Sequence, residues 1–431
     1  MEFRYGVSFI SIQQARQNLR EEIPDWSFDR IRDRAREGWD EVLGRIQVEG
    51  GTPAQRKVFY TALYWTAYGR GDKKTFLEKW NLLNDLMPFR KMIFALLFLS
   101  VFSLSAGQFT VPVIRCADEI IKRQTSDGAI VMNGIRATNE VSPYFGNLAA
   151  IGLVRAAQAT GNGRYLLAAE RWAGWYAKSM NPNGTVCDYI GAPAAWRSTG
   201  NFESTDSYAA TFLELLEAIG RQDNIWARAH YDAAARAIAA IRLTLRPDGL
   251  TLAKPGWPIA YTMDNVETAR GLRAAARLAA GTGHPVDAVA WSRAASRMES
   301  AIGANLWDDR QNDYCIGLQS SGQQIMAPDG WYPGLMADLM AIGLGPDSTR
   351  NRKLYERLLV GHVAAIPSKA ATEADLEHLV WWGYAARTAG DTPRFEEIQM
   401  ELATVNPRHL YIGNTALLGH VDRLLAEQRA D

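Results

Sequence analysis

The chain has 431 residues, 47% of them hydrophobic and 22% charged, and its 47 basic and 47 acidic residues leave no formal net charge. This is enough for one large domain or two ordinary ones. The charge balance gives no electrostatic reason to expect nucleic acid or an anionic membrane surface as a partner. The three cysteines are too far apart for a paired metal motif, and they predict buried apolar residues or at most one disulfide.

The first 86 residues contain two amphipathic patterns. Apolar residues recur at helical spacing from Phe28 to Ile46, and Pro53 to Tyr68 is a second candidate helix. Two helices and a short strand bury too little surface for a complete core. Residues 1–86 are therefore predicted to be a truncated piece of a domain.

Three blocks in this part occur in order, namely SFISIQQARQNLREEIP from Ser8, WDEVLGRIQVEG from Trp39 and FYTALY from Phe59. Together, residues 6–65 resemble glycoside hydrolase family 92, whose members are calcium-dependent and mostly cleave α-mannosides from chain ends. The resemblance implies a fragment of that family. The family's catalytic carboxylates and metal ligands lie in later sequence that has no match here, so no mannosidase site and no metal are predicted.

Residues 87–107 have the pattern of a secretory signal peptide. Arg90 and Lys91 precede an apolar run from Met92 to Leu104, and small residues follow up to Gly107. This run is shorter than the roughly 20 residues that span a bilayer, although a membrane anchor and a buried core helix remain alternatives. Such a signal belongs at an N-terminus. We therefore interpret residues 1–86 as a truncated reading frame that runs into the start of an exported protein, through gene fusion or a gene-calling error.

This interpretation predicts a location for the rest of the chain. If export starts from Met87, residues 108–431 are expected in the periplasm or outside the cell. Contact with a membrane would then be transient and limited to the segment 92–104. If the segment is not cleaved, a membrane-anchored protein is expected.

The sequence from Phe109 onward alternates Ala-rich helical patterns with short turns rich in Gly, Asn and Asp. Turns containing Gly128, Gly184 and Gly249 recur at similar intervals along the chain, which indicates a repeat. Twelve helices are predicted, at 109–123, 144–160, 163–180, 206–221, 225–245, 264–281, 285–305, 331–343, 348–365, 373–389, 391–404 and 414–428. Six helix pairs predict an all-α fold, an (α/α)6 toroid of six helical hairpins with short β-hairpin turns.

In this arrangement the even-numbered helices form the inner ring. Residues 107–431 are similar to the six-hairpin glycosidase superfamily, which includes glycoside hydrolases, some polysaccharide lyases and sugar epimerases. The resemblance covers about three quarters of the chain and rests on architecture. It implies an oligosaccharide or polysaccharide substrate, and we expect no cofactor.

The starts of the inner helices carry most of the chemistry. Five of the six combine an acid with a nearby aromatic residue, whereas the outer helices start differently. Glycoside hydrolysis needs two carboxyl groups, and aromatic faces stack on sugar rings. Asp206 and Asp264 are predicted to be the catalytic pair. The predicted substrate-binding residues are Glu140, Tyr144, Tyr208, Trp257, Glu267, Asp329, Trp331, Tyr332, Glu373, His378, Trp381, Trp382 and Asn414.

Each acid has an alternative role. Helix starts attract acids as caps, and Asp264 with Glu267 three residues later also fits a capping box. The predicted function is an inverting glycoside hydrolase that uses two carboxylates at the mouth of the toroid. A polysaccharide lyase or epimerase using Tyr144, Tyr208, Arg136 or Arg197 remains open. So does a non-catalytic toroid that binds carbohydrate or is purely structural.

Overall fold

The computed structural model describes residues 12–23, 26–44, 60, 109–134, 136–326, 330–344, 348–363, 366–407 and 413–426. The chain divides into two compact units, residues 1–104 and 105–431. The signal-peptide-like segment at 87–107 lies outside the described residues, as does the candidate helix at 53–68 apart from Tyr60. Within the described ranges, no helix is both long and apolar enough to cross a membrane.

The described part of the first unit consists of two helices, α1 (Ile12–Glu22) and α2 (Phe28–Leu43). The amphipathic pattern predicted α2. Its first residue, Phe28, is 69% exposed, and Arg32 forms surface ion pairs with Asp29 and Asp33. Surface pairs of this kind add little stability.

The second unit contains all the remaining described helices. They are α3 (Thr110–Lys122), α4 (Pro143–Thr160), α5 (Gly163–Ser179), α6 (Thr205–Gly220), α7 (Asn224–Ala229), α8 (Tyr231–Thr244), α9 (Thr262–Thr282), α10 (Pro285–Asn305), α11 (Met336–Ala341), α12 (Ser348–His362), α13 (Glu373–Ala389), α14 (Thr392–Leu402) and α15 (Thr415–Ala426). A π-helical turn, Trp331–Leu335, leads into α11. Each of the twelve predicted helices has a counterpart, and most bounds agree within two or three residues.

Two predicted helices are interrupted. The helix predicted at 225–245 breaks at His230, whose backbone is not helical and whose ring stacks on Trp226 with centroids 3.9 Å apart. The helix predicted at 331–343 begins irregularly because Tyr332 is extended (φ −113°, ψ 134°). Proline disfavours the helical conformation in the residue before it, and Pro333 follows Tyr332.

Short antiparallel strands connect the helices. The strands are β1 (Asn139–Val141), β2 (Tyr189–Gly191), β3 (Arg197–Ser198), β4 (Ile259–Tyr261), β5 (Trp307–Asp308), β6 (Asp313–Tyr314), β7 (Gly317–Gln319) and β8 (Gln324–Ile325). They form sheets in the orders β1–β2–β3 and β4–β7–β8, and a separate pair β5–β6. β1 ends two residues before α4, and β4 leads directly into α9.

The predicted even-numbered helices form a closed inner ring. Each of α4, α6, α9, α11, α13 and α15 packs against the next in that order, and α15 packs against α4. The outer helices pack between them; α3, for example, contacts both α15 and α4. The (α/α)6 toroid is confirmed. Because the inner helices alternate with antiparallel outer ones, all their N-termini lie at one end of the ring, which we call the mouth.

Glycine allows the inner helices to approach each other closely. A Cβ atom added to Gly152 on α4 would lie 2.4 Å from the Cα of Gly419 on α15. A Cβ atom on Gly271 of α9 would lie 2.6 Å from the Cα of Ala210 on α6. Real Cβ atoms do not approach other heavy atoms so closely. These two helix pairs therefore depend on the absence of a side chain.

The repeated turns are the predicted hairpins. Gln124 pairs with Ile130 in the first, Leu245 pairs with Thr251 in a later one, and β5–β6 form another. Gly184 has a φ of +86°, and a Cβ there would lie 2.0 Å from the carbonyl oxygen of Arg236. This turn therefore needs glycine both for its backbone conformation and for its contact with α8.

Candidate active site

Ser204, just before α6, lies between two carboxyl groups at the mouth. Its Oγ is 2.7 Å from Asp206 Oδ1 and 2.9 Å from Asp264 Oδ2. Both contacts involve the same atom, Ser204 Oγ. The distance between Asp206 Oδ1 and Asp264 Oδ2 therefore cannot exceed the sum of these two distances. The structure thus brings the predicted catalytic residues together, on the neighbouring inner helices α6 and α9.

The two carboxyl groups differ in their access to solvent. Asp206 is completely buried, and its Oδ1 also accepts the backbone N–H of Ser207 at 2.9 Å. Asp264 is half-buried and faces the mouth. The loop that follows α8 covers this start of α6, since Thr205 N donates to Ala253 O. Of the two carboxyl groups, only Asp264 can contact a substrate directly.

Burial raises the pKa of both groups. For Asp206 the pKa lies well above the usual range, through loss of solvation and then through the negative charge of Asp264. For Asp264, burial raises the pKa to about 6, against the opposing effect of the Ser204 hydrogen bond. A hydroxyl group has only one proton to donate. Both Ser204 contacts can therefore be hydrogen bonds only when one of the two carboxyl groups is protonated and donates to Ser204 Oγ. We assign this proton to Asp206, the completely buried carboxyl group.

Glu267 lies one turn further along α9 than Asp264. Its Oε1 accepts the hydroxyl of Tyr144 at 2.6 Å, and the side chain is buried. Burial raises the pKa of Glu267 to about 8, although the Tyr144 hydrogen bond acts in the opposite direction. Glu267 therefore carries a proton at neutral pH. The sequence alternative, in which Glu267 completes a capping box with Asp264, is not what the structure shows, because the start of α9 has no side-chain cap.

Buried Tyr208 and half-buried Asp188 form a further pair at the mouth. The Tyr208 hydroxyl donates to Asp188 Oδ1 at 2.9 Å, and the Tyr208 ring stacks near that of Tyr144, with centroids 6.2 Å apart. Burial raises the pKa of both phenols, well above the usual range for Tyr144. Both hydroxyls act as hydrogen-bond donors to carboxyl groups.

Two exposed aromatic residues lie at the same end of the ring as Asp264. Tyr332 is 68% exposed and Trp257 is 37% exposed. Trp257 Nε1 lies 3.4 Å from the hydroxyl of Tyr261, with Lys254 over its indole ring at 5.0 Å. Flat faces of this kind can stack on sugar rings.

The pKa of Tyr332 is affected by nearby acids. Its pKa is raised first by burial and then by negative charge at Asp264, Glu203 and Glu377. Across the mouth, Trp331 Nε1 donates to Glu377 Oε2 at 3.2 Å, and the Trp331 ring packs on His378 with centroids 3.7 Å apart. Asp264, Glu203 and Glu377 are thus all close enough to the Tyr332 hydroxyl to act on it electrostatically.

Two of the predicted residues lie in the core, and a third binds backbone groups at the mouth. Trp382 is completely buried and Trp381 is 6% exposed, so both pack in the core instead of lining the mouth. Glu373 accepts the backbone N–H groups of Gly413 and Asn414 at 3.0 and 2.8 Å, ahead of α15.

Asn414 and Glu140 both lie close to the start of an inner helix. The side chain of Asn414 accepts the N–H of Ala416 at 2.9 Å, so it acts as a helix cap. Glu140 is exposed on β1, opposite Ile190. Asp329 lies outside the described residues.

The sequence analysis did not single out Ser204, Tyr261 or Glu377. A serine directly before an acid-containing helix start is read as a cap, and Ser204 occupies that position without making the cap hydrogen bond. Glu377 lies one turn inside α13, past the acid that the sequence analysis selected. No local pattern could have found its contact with Trp331, which is 46 residues away.

Comparisons with known proteins agree with both sequence resemblances. Residues 14–81 match the family model of the glycosyl hydrolase family 92 catalytic domain. An uncharacterized secreted glycosidase from Arthroderma benhamiae is 37% identical over 65 residues. That match covers 14% of this chain and only 8% of the fungal protein.

Solved structures resemble the helical unit. The GH63 mannosylglycerate hydrolase from Thermus thermophilus, in complex with glucose, matches with a TM-score of 0.53 and 10% identity, over 73% of this chain and 99% of that one. An α-amylase from Clostridium perfringens matches with a TM-score of 0.51 and 10% identity, over 74% and 96%. At this identity the likeness shows the fold alone. The two parts of the chain thus resemble glycoside hydrolases, the first by sequence and the second by fold.

Proposed function

We propose that residues 108–431 form a glycoside hydrolase that acts on an oligosaccharide or polysaccharide at the mouth of the toroid. The observation that carries the proposal is Asp264, a half-buried carboxyl group with a pKa raised to about 6 and with exposed aromatic residues at the same end of the ring. A protonated carboxyl beside a sugar-stacking surface is what protonation of a glycosidic oxygen requires.

In this proposal Asp264 is the general acid. Asp206 keeps a proton and holds Ser204, which orients the Asp264 carboxyl. Asp206 is thus a positioning residue, because its buried side chain is out of reach of a sugar. This assignment modifies the predicted catalytic pair while keeping one of its members.

The second carboxyl decides the stereochemistry. Inverting enzymes place their carboxyls roughly 6.5–9.5 Å apart to admit a water molecule. Asp206 and Asp264 are closer than that, because their contacting oxygens lie only 2.7 and 2.9 Å from the same Ser204 Oγ. An inverting reaction therefore needs a partner across the mouth. We propose Glu377, which is held by Trp331 and lies close enough to affect Tyr332 together with Asp264.

The lyase alternative has less support. A lyase base must take a proton from carbon, and a tyrosine does so best when its pKa is lowered. Tyr144 and Tyr208 instead donate to carboxyl groups, and their pKa values are raised. The geometry therefore favours hydrolysis.

Hydrolysis can be tested on the full chain with a panel of oligosaccharides and aryl glycosides, by measuring the release of reducing sugar. On oligosaccharides, which have poor leaving groups, Asp264→Asn should lower kcat by at least about 100-fold, the usual contribution of general acid catalysis. Glu377→Gln should lower kcat by a similar factor on all substrates, because water must be activated whatever the leaving group is. Asp232→Asn, at an exposed site on the outer helix α8, is the matched control.

Different results would support other functions. Saturable sugar binding without cleavage by the unmodified chain would indicate a non-catalytic toroid. Formation of an unsaturated uronate would indicate a lyase. Full activity in Asp264→Asn would exclude the proposed acid.

We further propose that residues 87–107 direct export and are removed. The sequence pattern supports this proposal, as does the 65-residue match to a fungal glycosidase described as secreted. Intact mass of the mature protein from its native host tests it. A species starting near Ala106 supports cleavage, and a species that retains Met1 contradicts it.

A further inference from the structure

A cavity lies at the end of the inner ring opposite the mouth. Its volume is about 300 Å³. The residues that line it come from the middle and C-terminal parts of α4, α6, α9 and α15, from the residues just after α6 and α11, and from the outer helix α10, which contributes Glu299. The charged residues that line it are Arg155, Glu214, Glu217, Arg221, Arg270, Arg273, Arg277, Glu299 and Arg423. Six arginines thus face three glutamates.

The three glutamates are already paired. Glu217 Oε1 binds both Arg221 and Arg277, at 2.6 and 2.9 Å. Glu299 binds Arg273 through two hydrogen bonds, of 2.8 and 2.6 Å.

Glu214 has a weaker partner, since it lies 3.8 Å from Arg423. No further carboxylate from the described residues lines this cavity, so the excess positive charge remains.

Within the described part of the chain, Arg155 and Arg270 are paired only with uncharged groups. Arg155 donates to Gln158 Oε1 at 2.9 Å, and Arg270 donates to the carbonyl oxygen of Met340 at 2.7 Å. Burial lowers the pKa of both. The positive charge of Arg423 lowers each further, whereas the negative charge of Glu214 acts in the opposite direction on Arg270 and that of Glu217 does so on Arg155. These guanidinium groups would gain from a bound negative charge.

Helix ends explain part of this charge. The C-terminus of a helix favours cations within its last turn, and Arg221 and Arg423 are close to such ends. Arg270 lies in the middle of α9 (Thr262–Thr282), where the effect is small. The dipole therefore does not account for the whole cluster.

We propose that this cavity binds a multivalent oxyanion, of the size of a phosphate or sulfate group. Guanidinium groups bind such anions through paired, charge-assisted hydrogen bonds. The volume of about 300 Å³ is at the lower limit of small-ligand sites, which suits a single anion or a compact ester of it. The site is independent of the proposed hydrolysis, because its residues lie at the other end of the ring.

The test is isothermal titration of the full chain with inorganic phosphate at pH 7 and constant ionic strength, so that general screening does not change. Glucose 6-phosphate distinguishes an ester from the free ion, and glucose is the uncharged control. We expect one saturable site for phosphate and none for glucose in this cavity. If glucose still gives a heat of binding after the chain is saturated with phosphate, we assign that binding to the mouth.

Arg155→Gln is the most informative variant, because the cation it removes donates to a neutral amide and to no described carboxylate. It should weaken phosphate binding by about tenfold or more while the melting temperature without ligand stays the same or rises. Arg221→Gln should also weaken binding, and Glu217 keeps Arg277 as its partner in that variant.

Arg242→Gln, at an exposed position on the outer helix α8, is the control and should bind like the unmodified chain. The proposal would be overturned if phosphate gave no saturable heat. It would equally be overturned if both Arg155→Gln and Arg221→Gln bound phosphate as the unmodified chain does, since the binding would then lie elsewhere.

Discussion

Ser204 shows how one side chain can set the protonation of two others. Its hydroxyl contacts Asp206 and Asp264 at once, at distances that both allow a hydrogen bond. One shared proton on Asp206 satisfies this geometry and leaves Asp264 free to gain or lose its own proton. The pair should therefore titrate as a unit rather than as two independent acids.

In the unmodified chain, the hydrogen bond from Ser204 stabilises the ionised form of Asp264. Ser204→Ala removes this bond and should therefore raise the pKa of Asp264 above about 6. A shift of about one pH unit is expected. Carboxyl resonances followed by ¹³C NMR across a pH titration measure it directly, without a substrate. Ser320→Ala, in the exposed β7–β8 hairpin, is the control. An unchanged titration in Ser204→Ala would mean that the shared hydroxyl does not tune the pair.

Glu267 should make stability depend on pH. Its pKa is raised to about 8 in the folded chain, so folding favours the protonated form. The stabilisation is complete below the pKa of the unfolded chain, near 4.5, and is lost as pH rises through about 8.

Glu267→Gln keeps an acceptor for Tyr144 but cannot ionise. The free energy of unfolding of the variant, relative to the unmodified chain, should therefore rise by a few kcal/mol between pH 5 and pH 9. Urea unfolding at several pH values gives this difference. A constant difference across the range would contradict a buried, protonated Glu267.

At the scale of single elements, Gly152 and Gly419 form the contact between α4 and α15. A methyl group on Gly152 would overlap the backbone of Gly419, at 2.4 Å from its Cα. Helix propensity alone favours alanine over glycine by up to about 1 kcal/mol. At this position the clash dominates.

Gly152→Ala should therefore lower the free energy of unfolding by about 1–3 kcal/mol or more. Gly174→Ala is a matched control, since Gly174 is inside α5 and a Cβ there meets no atom within 4 Å. That variant should be slightly more stable than the unmodified chain. Chemical denaturation of both variants separates the effect of helix propensity from the effect of the clash. Equal stabilities would show that α4 and α15 can move apart at little cost in free energy.

Elements also show where the sequence was sufficient and where it was not. Helices, hairpin turns and the alternation of inner and outer helices follow from local periodicity, and the structure confirms them. The orientation of Trp381 and Trp382 does not, because α13 is apolar on several sides and both indoles can pack inward. The burial of Asp206 could not be predicted either, since it depends on a contact between Thr205 and Ala253, which are distant in the sequence.

At the scale of the whole molecule, the helical unit has its own core. The cluster of buried apolar residues in the described part of the chain extends from Val113 to Leu425. Residues 108–431 should therefore fold alone, with a cooperative thermal transition and the helical circular dichroism expected for a toroid. The full chain is the comparison. A fragment that aggregates or melts without cooperativity would show that the preceding part of the chain is needed.

The packing of α15 against α4 has a consequence for synthesis at the ribosome. The first and last inner helices, which are far apart in the chain, are direct neighbours in the ring. Contacts between distant residues slow folding because the intervening chain must be ordered first. While the protein is being made, the face of α4 that packs against α15 therefore stays uncovered until α15 has left the ribosome. A nascent chain that stops before α15 would present this face, which carries Gly152, to chaperones and proteases.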